Sequence, residues 1–429
     1  MPPFHKLSKE EWSWVLYDVA NSAFVLVVVT ALMPIYFKDV MAPHLPAATS
    51  TAYWAYTNGA SSLVLALLAP FLGALADYPG RKKLFFATFL SLGLATTLCL
   101  ALPNPGQWVW ALALFLCARL AWAGANIFYD AFLVDVTSSD RADNISARGY
   151  AWGYIGSVVP FLAVLALLAS SGDLGQGLPV HATRISFVLV ALWWCLFSLP
   201  AMRHLRQRHA VPASSTPVRD TLKRLTTTLQ EVRQRPRVFL FLLAYFFYID
   251  GVDTIISMAS VYGRDLGFSP AALIVILLFI QVVAFPCTLV YAQMTTRMSN
   301  LHLLMVGIGV YVCITLLAFL LPFITLTGLR TATFWLIAFL VASSMGGIQA
   351  LSRSCYSQLI PKEKSAHFFG IYNIFGKFAA ILGPFLLGVT GQLTGDSRWG
   401  VLSLLPFFLI GAYFLVKVHK RSACGHNPV

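Results

Sequence analysis

Twelve stretches of this chain are each apolar and long enough to cross a bilayer, and no other property limits its fold so tightly. They lie at about 13–37, 51–76, 84–103, 107–134, 149–171, 182–202, 238–262, 268–293, 301–323, 331–352, 366–393 and 399–416. One helix needs about 20 apolar residues to span the hydrocarbon core. In lipid only helices and closed barrels satisfy every backbone polar group, and runs this long predict helices. The expected fold is an all-α integral membrane protein with twelve transmembrane helices. Only 11% of the 429 residues are charged, against about 25% in soluble domains, too few to coat a water-facing surface. The first run exceeds a signal-peptide core and no small-residue cleavage site follows it, so it is expected to be a retained span. The seven cysteines form no CxxC pair, and neither a metal site nor a disulfide framework is expected.

Charge placement sets the expected orientation. An even number of spans puts both termini on one side. Of the 30 Lys and Arg residues, 23 fall on that side and 5 on the other, with Arg119 and Lys377 inside spans. Cationic loops favour the cytoplasm, so both termini are expected there. The net charge of +13 is then a topology signal rather than a nucleic-acid footprint, and no nucleic-acid partner is expected. The longest polar stretch, 203–237, contains Pro212, Pro217 and Pro236 and divides the spans six and six. This predicts bundles at 1–202 and 238–429 joined by a cytoplasmic linker loop. Within the linker, Leu222, Leu225, Leu229 and Val232 recur at helical spacing and suggest a surface helix over Thr221–Arg235. Its basic residues suit anionic lipid heads.

The halves echo each other. The first span contains Asp18 and Asn21, the seventh Asp250 and Asp253, both in an Asp-x-x-Asn/Asp pattern. Three residues turn about 300° on a helix, so each pair shares one face. Two pseudo-symmetric six-helix bundles with such an echo fit a secondary transporter built from repeats. Asp18, Arg119, Asp130, Asp250, Asp253 and Lys377 place ionisable groups in the spans or near their ends, at about 2.5–3.5 kcal/mol each at mid-helix. One reading is a polar cavity holding solute and a carboxylate that takes and releases a proton. The other is a set of ties between helices, and for Arg119 and Lys377 the two stand level. Asn126, Tyr129, Gln281, Gln349 and Asn373 add groups that can bond either a polar ligand or a neighbouring helix. Gly153, Gly156 and Pro160 in the fifth span, and Gly376, Gly383, Pro384 and Gly388 in the eleventh, are expected bends or close-packing points.

The loop after the second span reads Gly73-Ala74-Leu75-Ala76-Asp77-Tyr78-Pro79-Gly80-Arg81-Lys82-Lys83. It resembles the signature of the major facilitator superfamily in its expected place. The resemblance implies an inner gate at Gly73, Asp77, Gly80 and Arg81. On the fourth span the superfamily pattern is partial, since Arg119 is followed by Trp122 and Gly124. A closer resemblance, to the vacuole effluxer family, rests on Tyr17-Asp18-Val19-Ala20-Asn21-Ser22-Ala23, on Ala125–Leu133 and on Ser146–Tyr154. It rests also on Asp250–Ile256, Gln349-Ala350-Leu351-Ser352-Arg353-Ser354 and Phe368–Lys377. Arg119, Arg148 and Arg353 join the gating candidates. The resemblance implies alternating-access efflux of amino acids or related small polar metabolites.

No HExxH, GxSxG or phosphate loop occurs. Gly370 and Gly376-Lys377 are separated by five residues and followed by Phe378, which does not make a nucleotide loop. Neither an enzyme nor a cofactor is expected, and transport without a nucleotide site runs on a gradient, with H+ as the candidate coupling ion. A receptor, a scaffold, a channel or an uptake carrier for another solute are the alternatives. The expected setting is a monomer in the lipid bilayer of a bacterial inner membrane, or a vacuolar membrane if the source is eukaryotic.

Overall fold

The computed structural model describes residues 6–171, 178–212, 232–265, 268, 270–394 and 397–423. A few helical side chains within these ranges, Lys377 among them, are outside the description. The proposed surface helix over Thr221–Arg235 lies almost wholly outside the described residues.

Among the described residues there are twelve long helices and no strand. They are α1 (Lys9–Met41), α2 (Ala47–Ala76), α3 (Arg81–Cys99), α4 (Trp108–Ala131), α5 (Ala142–Ser170) and α6 (Val180–His204). The second six are α7 (Pro236–Asp265), α8 (Pro270–Met294), α9 (Asn300–Leu320), α10 (Thr327–Leu359), α11 (Ser365–Thr394) and α12 (Leu405–Ala423). Among the described residues, eleven of these contain a stretch long and apolar enough to cross a membrane, and α11 carries the apolar run read at 366–393. Large apolar side chains face outward, with Leu67 71% and Trp110 67% exposed, as lipid-facing helices require.

Local chemistry explains the ends. Ser8 caps α1: its Oγ accepts from Glu11 N at 3.1 Å while its own N–H donates to Glu11 Oε2 at 2.8 Å, a reciprocal capping box. Pro34 in α1 has no N–H to donate, and wide π turns at Phe24–Leu32 and Phe37–Met41 flank the short α turn that contains it. Helix α2 stops where Tyr78-Pro79-Gly80-Arg81 turns the chain. Arg81 N–H donates to Tyr78 O at 3.1 Å and Gly80 has φ +72°, a type II turn that favours Pro then Gly.

The chain divides into two units. In the first, α1 packs on α6, α2 on α4, α3 on α4 and α3 on α6. In the second, α7 packs on α12, α8 on α10, α9 on α10 and α9 on α12. Adding six to each helix number converts one set into the other, so the six-plus-six repeat expected from the sequence is present in the packing. The unit boundaries fall inside the counterparts α5 and α11: Ser139–Ala151 group with the second unit and Lys362–Gly370 with the first. Helices α5 and α10 also run past their apolar windows by several polar residues, which hydropathy alone did not show.

Candidate functional site

In the first unit, Asp77 sits at the end of α2, 1% exposed. Its two carboxylate oxygens accept from the first-turn amides of α11, Ala366 N at 2.8 Å and His367 N at 3.0 Å. Those amides have no intrahelical acceptor, and an acid there also meets the positive end of the helix dipole. Gly73, one turn earlier, makes room. A methyl at that position would run into the carbonyl oxygen of Ala366 and lie 2.9 Å from its carbon. Burial pushes the Asp77 carboxyl up to about 7, against the pull of Lys82 and the two amides, with Asp135 adding to the rise. Arg81 lies 5.8 Å from the Tyr78 ring centroid.

Beside this latch is a buried ion pair that the sequence reading missed. Lys82 Nζ meets Asp135 Oδ2 at 2.7 Å with neither side chain exposed, and also donates to Ser365 Oγ at 2.8 Å. Asp135 Oδ1 accepts from Arg208 N at 3.0 Å and His209 N at 2.8 Å. The segment after α6 is thus strapped to the α2–α3 turn, with Gln207 Nε2 donating to Ala76 O and Asp77 O, each at 3.3 Å, and Val211 N to Asp77 O at 3.0 Å. Hydropathy and the positive-loop count had placed Lys82 only as a topology charge.

The second unit has its own latch, at the start of α5. Arg353, 2% exposed, donates from Nε to Ser146 Oγ and from an Nη to Ser146 O, both at 3.0 Å, and its guanidinium lies 4.3 Å from the Tyr150 ring centroid. Asn300 Nδ2 reaches both oxygens of Asp143 at 2.8 Å, and Gln358 Nε2 reaches Asp143 Oδ1 at 3.1 Å. Arg353 was expected at a gate; Asp143, Asn300 and Gln358 were not. They lie on or beside polar helix ends, where no periodicity marks them. Arg148 is two residues past Ser146 and part-exposed.

The intramembrane groups separate by unit. On α1, Asp18 and Asn21 are 6% and 5% exposed, and Asn21 Nδ2 donates to Tyr17 O at 2.9 Å and to Asp18 Oδ1 at 3.4 Å. On α4, Trp122 Nε1 donates to Asn21 Oδ1 at 3.3 Å. Asn126 keeps its buried Oδ1 without a partner among the described residues. The Tyr129 ring lies 4.6 Å from Tyr17 and stacks on Trp14 at 4.5 Å. Asp130 is part-exposed at the end of this face. Arg119 lies on α4 and donates from Nε to Ser61 Oγ at 3.1 Å. In the second unit, Asp250 is fully buried. Its Oδ1 accepts from Gly383 N at 2.9 Å and from Thr254 Oγ1 at 3.5 Å, and its Oδ2 is without a partner among the described residues. Asp253, Gln281 and Asn373 are part-exposed. In both echoing pairs the first Asp accepts from a residue of its own helix, Asn21 for Asp18 and Thr254 for Asp250, and Asp250 also reaches α11 beside Pro384. Among the described residues no group of His, Cys, Asp and Glu is placed to hold a metal.

Twelve helices in a six-plus-six repeat, with a signature loop latched to α11, define a membrane transporter of the major facilitator type. A proton:xylose symporter of that superfamily, XylE, superposes with a TM-score of 0.70 over 95% of both chains at 12% identity, which is a likeness of fold. The chain belongs to the family of Atg22-like vacuole effluxers, whose sequence profile matches residues 45–140 and 134–424. It is 44% identical to the uncharacterized MFS-type transporter YxiO of Bacillus subtilis, over 97% of this chain and 96% of that protein. It is 26% identical to autophagy-related protein 22 of Yarrowia lipolytica, over 67% of this chain and 53% of that protein. The protein is thus a multi-pass membrane transporter for a small molecule in a lipid bilayer, and a bacterial relative matched along nearly its whole length agrees with the inner-membrane location expected.

Proposed function

We propose that the chain is a secondary transporter exporting amino acids or related small polar metabolites by alternating access, without enzymatic chemistry, cofactor or metal. The bundles are 1–202 and 238–429, joined by 203–237, with both termini cytoplasmic, and the protein works as a monomer. The observation that carries this reading is the Asp77 latch. It fastens a turn in the first half of the sequence to a helix start in the second half through two backbone amides. A tie made of two hydrogen bonds can break and re-form in each cycle, as a gate must. Arg81, Arg148 and Arg353 border the two latches and belong to the gating set.

The solute and proton groups proposed are Asp18, Asn21, Asn126, Tyr129 and Asp130 of the first half, with Asp250, Asp253, Gln281, Asn373 and Lys377 of the second. Of these, Asp18, Asp130, Asp250 and Asp253 are the carboxylates available to carry H+. Membrane carboxylates retained at such cost usually serve a pathway. The matching family is described as vacuole effluxers, which favours an effluxer, and the amino-acid solute class is what the sequence resemblance to that family implies.

The test is flux into proteoliposomes of a labelled amino-acid panel, with and without a pH gradient. Saturable flux of at least one amino acid, faster with the gradient and lost in D18N or D250N, is expected. No saturable flux of any panel member would refute the amino-acid reading, and gradient-insensitive flux would refute proton coupling.

A further inference from the structure

We infer that Arg119 is an anion-binding element of the transport site, receiving the carboxylate, or an equivalent planar oxyanion, of the carried solute. This deepens the transporter reading above and rests on it.

Arg119 stands midway along α4 (Trp108–Ala131), a depth near the bilayer centre for a helix of this length. A guanidinium keeps its charge at any physiological pH. Lys82, the buried cation at the signature loop, is neutralised by Asp135 at 2.7 Å. Among the described residues Arg119 has no such partner. Among the described residues its hydrogen bond is to Ser61 Oγ, and no carboxylate lies within ion-pair distance. Ser61 spends its own proton on Asn58 O at 2.7 Å, so towards Arg119 it acts only as an acceptor. It holds Nε and leaves the two terminal nitrogens free. Those two N–H groups form the fork that matches two carboxylate oxygens in parallel.

The surroundings fit a ligand better than a structural tie. Ser61 is 4% exposed, so the arginine points inward to α2, yet its own side chain is part-exposed. A mid-membrane charge facing hydrocarbon is costly, and such residues face a water-filled recess instead. Two turns along α4, on the same side, the Asn126 amide oxygen is buried without a partner among the described residues. Residues seven apart rise about 10 Å along a helix. A cationic fork and an unsatisfied acceptor at that spacing suit a small solute with an anionic group at one end and an N–H or O–H donor beyond it. As the solute leaves, the fork exchanges its carboxylate for water.

The test uses the full chain in detergent and in proteoliposomes. Phenylglyoxal labels accessible arginines, and peptide mass spectrometry reads the adduct at Arg119. The probes are acetate, benzoate and leucine, against acetamide, benzamide and leucinamide. At least one carboxylate is expected to slow Arg119 labelling tenfold or more while its matched amide leaves it unchanged. R119Q is expected to weaken half-saturation for any transported carboxylate about tenfold to hundredfold, the worth of a hydrogen-bonded charge contact, with R119K between the two. An Arg119 that resists labelling without probe, or equal labelling with acids and amides, overturns the inference. If no amino acid is carried but carboxylates still protect Arg119, the amino-acid reading fails and the anion site stands. Leucine flux with an unprotected Arg119 is the reverse outcome.

Discussion

Replacing Gly73 with alanine tests the latch through its geometry. The added methyl would meet Ala366 carbonyl oxygen and sit 2.9 Å from its carbon and 3.1 Å from His367 Cα. Carbon contacts are comfortable at about 3.5–4.0 Å, so the start of α11 must retreat by about 1 Å. The Asp77 bonds at 2.8 and 3.0 Å would then stretch past useful length. Alternatively the clash is absorbed as overpacking, at about 1–3 kcal/mol. The cheaper route sets the effect, so the latch weakens by about 1–3 kcal/mol, roughly fivefold to 150-fold in its opening equilibrium. The amides of Ala366 and His367 report this directly, since as first-turn groups they owe their protection to Asp77 rather than to the helix ladder. Hydrogen exchange at those two amides should accelerate by that factor in G73A. Gly59, earlier on the same helix, has nothing within 4 Å of where an added methyl would sit, so G59A should leave both amides unchanged. Exchange in G73A within twofold of the parent would refute the packing argument.

Two further perturbations follow from the same turn. Burial holds the docked Asp77 near 7, above its ordinary value, so the proton favours docking. Protection of Ala366 and His367, corrected for intrinsic exchange, should be full below about pH 4 and decline as pH rises through 7. D77N should flatten that profile, and protection that grows with pH in the parent would contradict it. For the buried pair, K82M strands Asp135 without its cation and should cost about 3–5 kcal/mol. K82M/D135N should recover most of this, because the neutral amide that replaces the carboxylate can still accept from the Arg208 and His209 backbone. Thermal unfolding in detergent measures both, and a double variant no more stable than K82M would show the pair is not acting as an ion pair.

How much was legible in advance depends on the range of each interaction. The spans could be read because hydropathy over about 20 residues is a local property. The Gly73–Lys83 loop could be read because a type II turn is written in four consecutive residues. Asp143 could not: its partners Asn300 and Gln358 lie 157 and 215 residues away, and each is a polar residue on or beside a polar helix end. Asp18 and Asp250 look alike in the sequence, and nothing in the pattern shows that Asp250 meets Gly383, 133 residues away.

Apolar length, the asymmetry of positive loops and the repeated Asp-x-x-Asn/Asp pattern were enough to settle a twelve-helix, two-half membrane protein, because lipid leaves a long apolar run one way to satisfy its backbone. What only the folded chain decided is who stands opposite whom. It placed the amides of α11 on Asp77, gave Lys82 a carboxylate, and set Arg119 against Ser61. Those pairings arise where distant segments meet, and the cost or benefit of a buried charge exists only once its neighbours are in place.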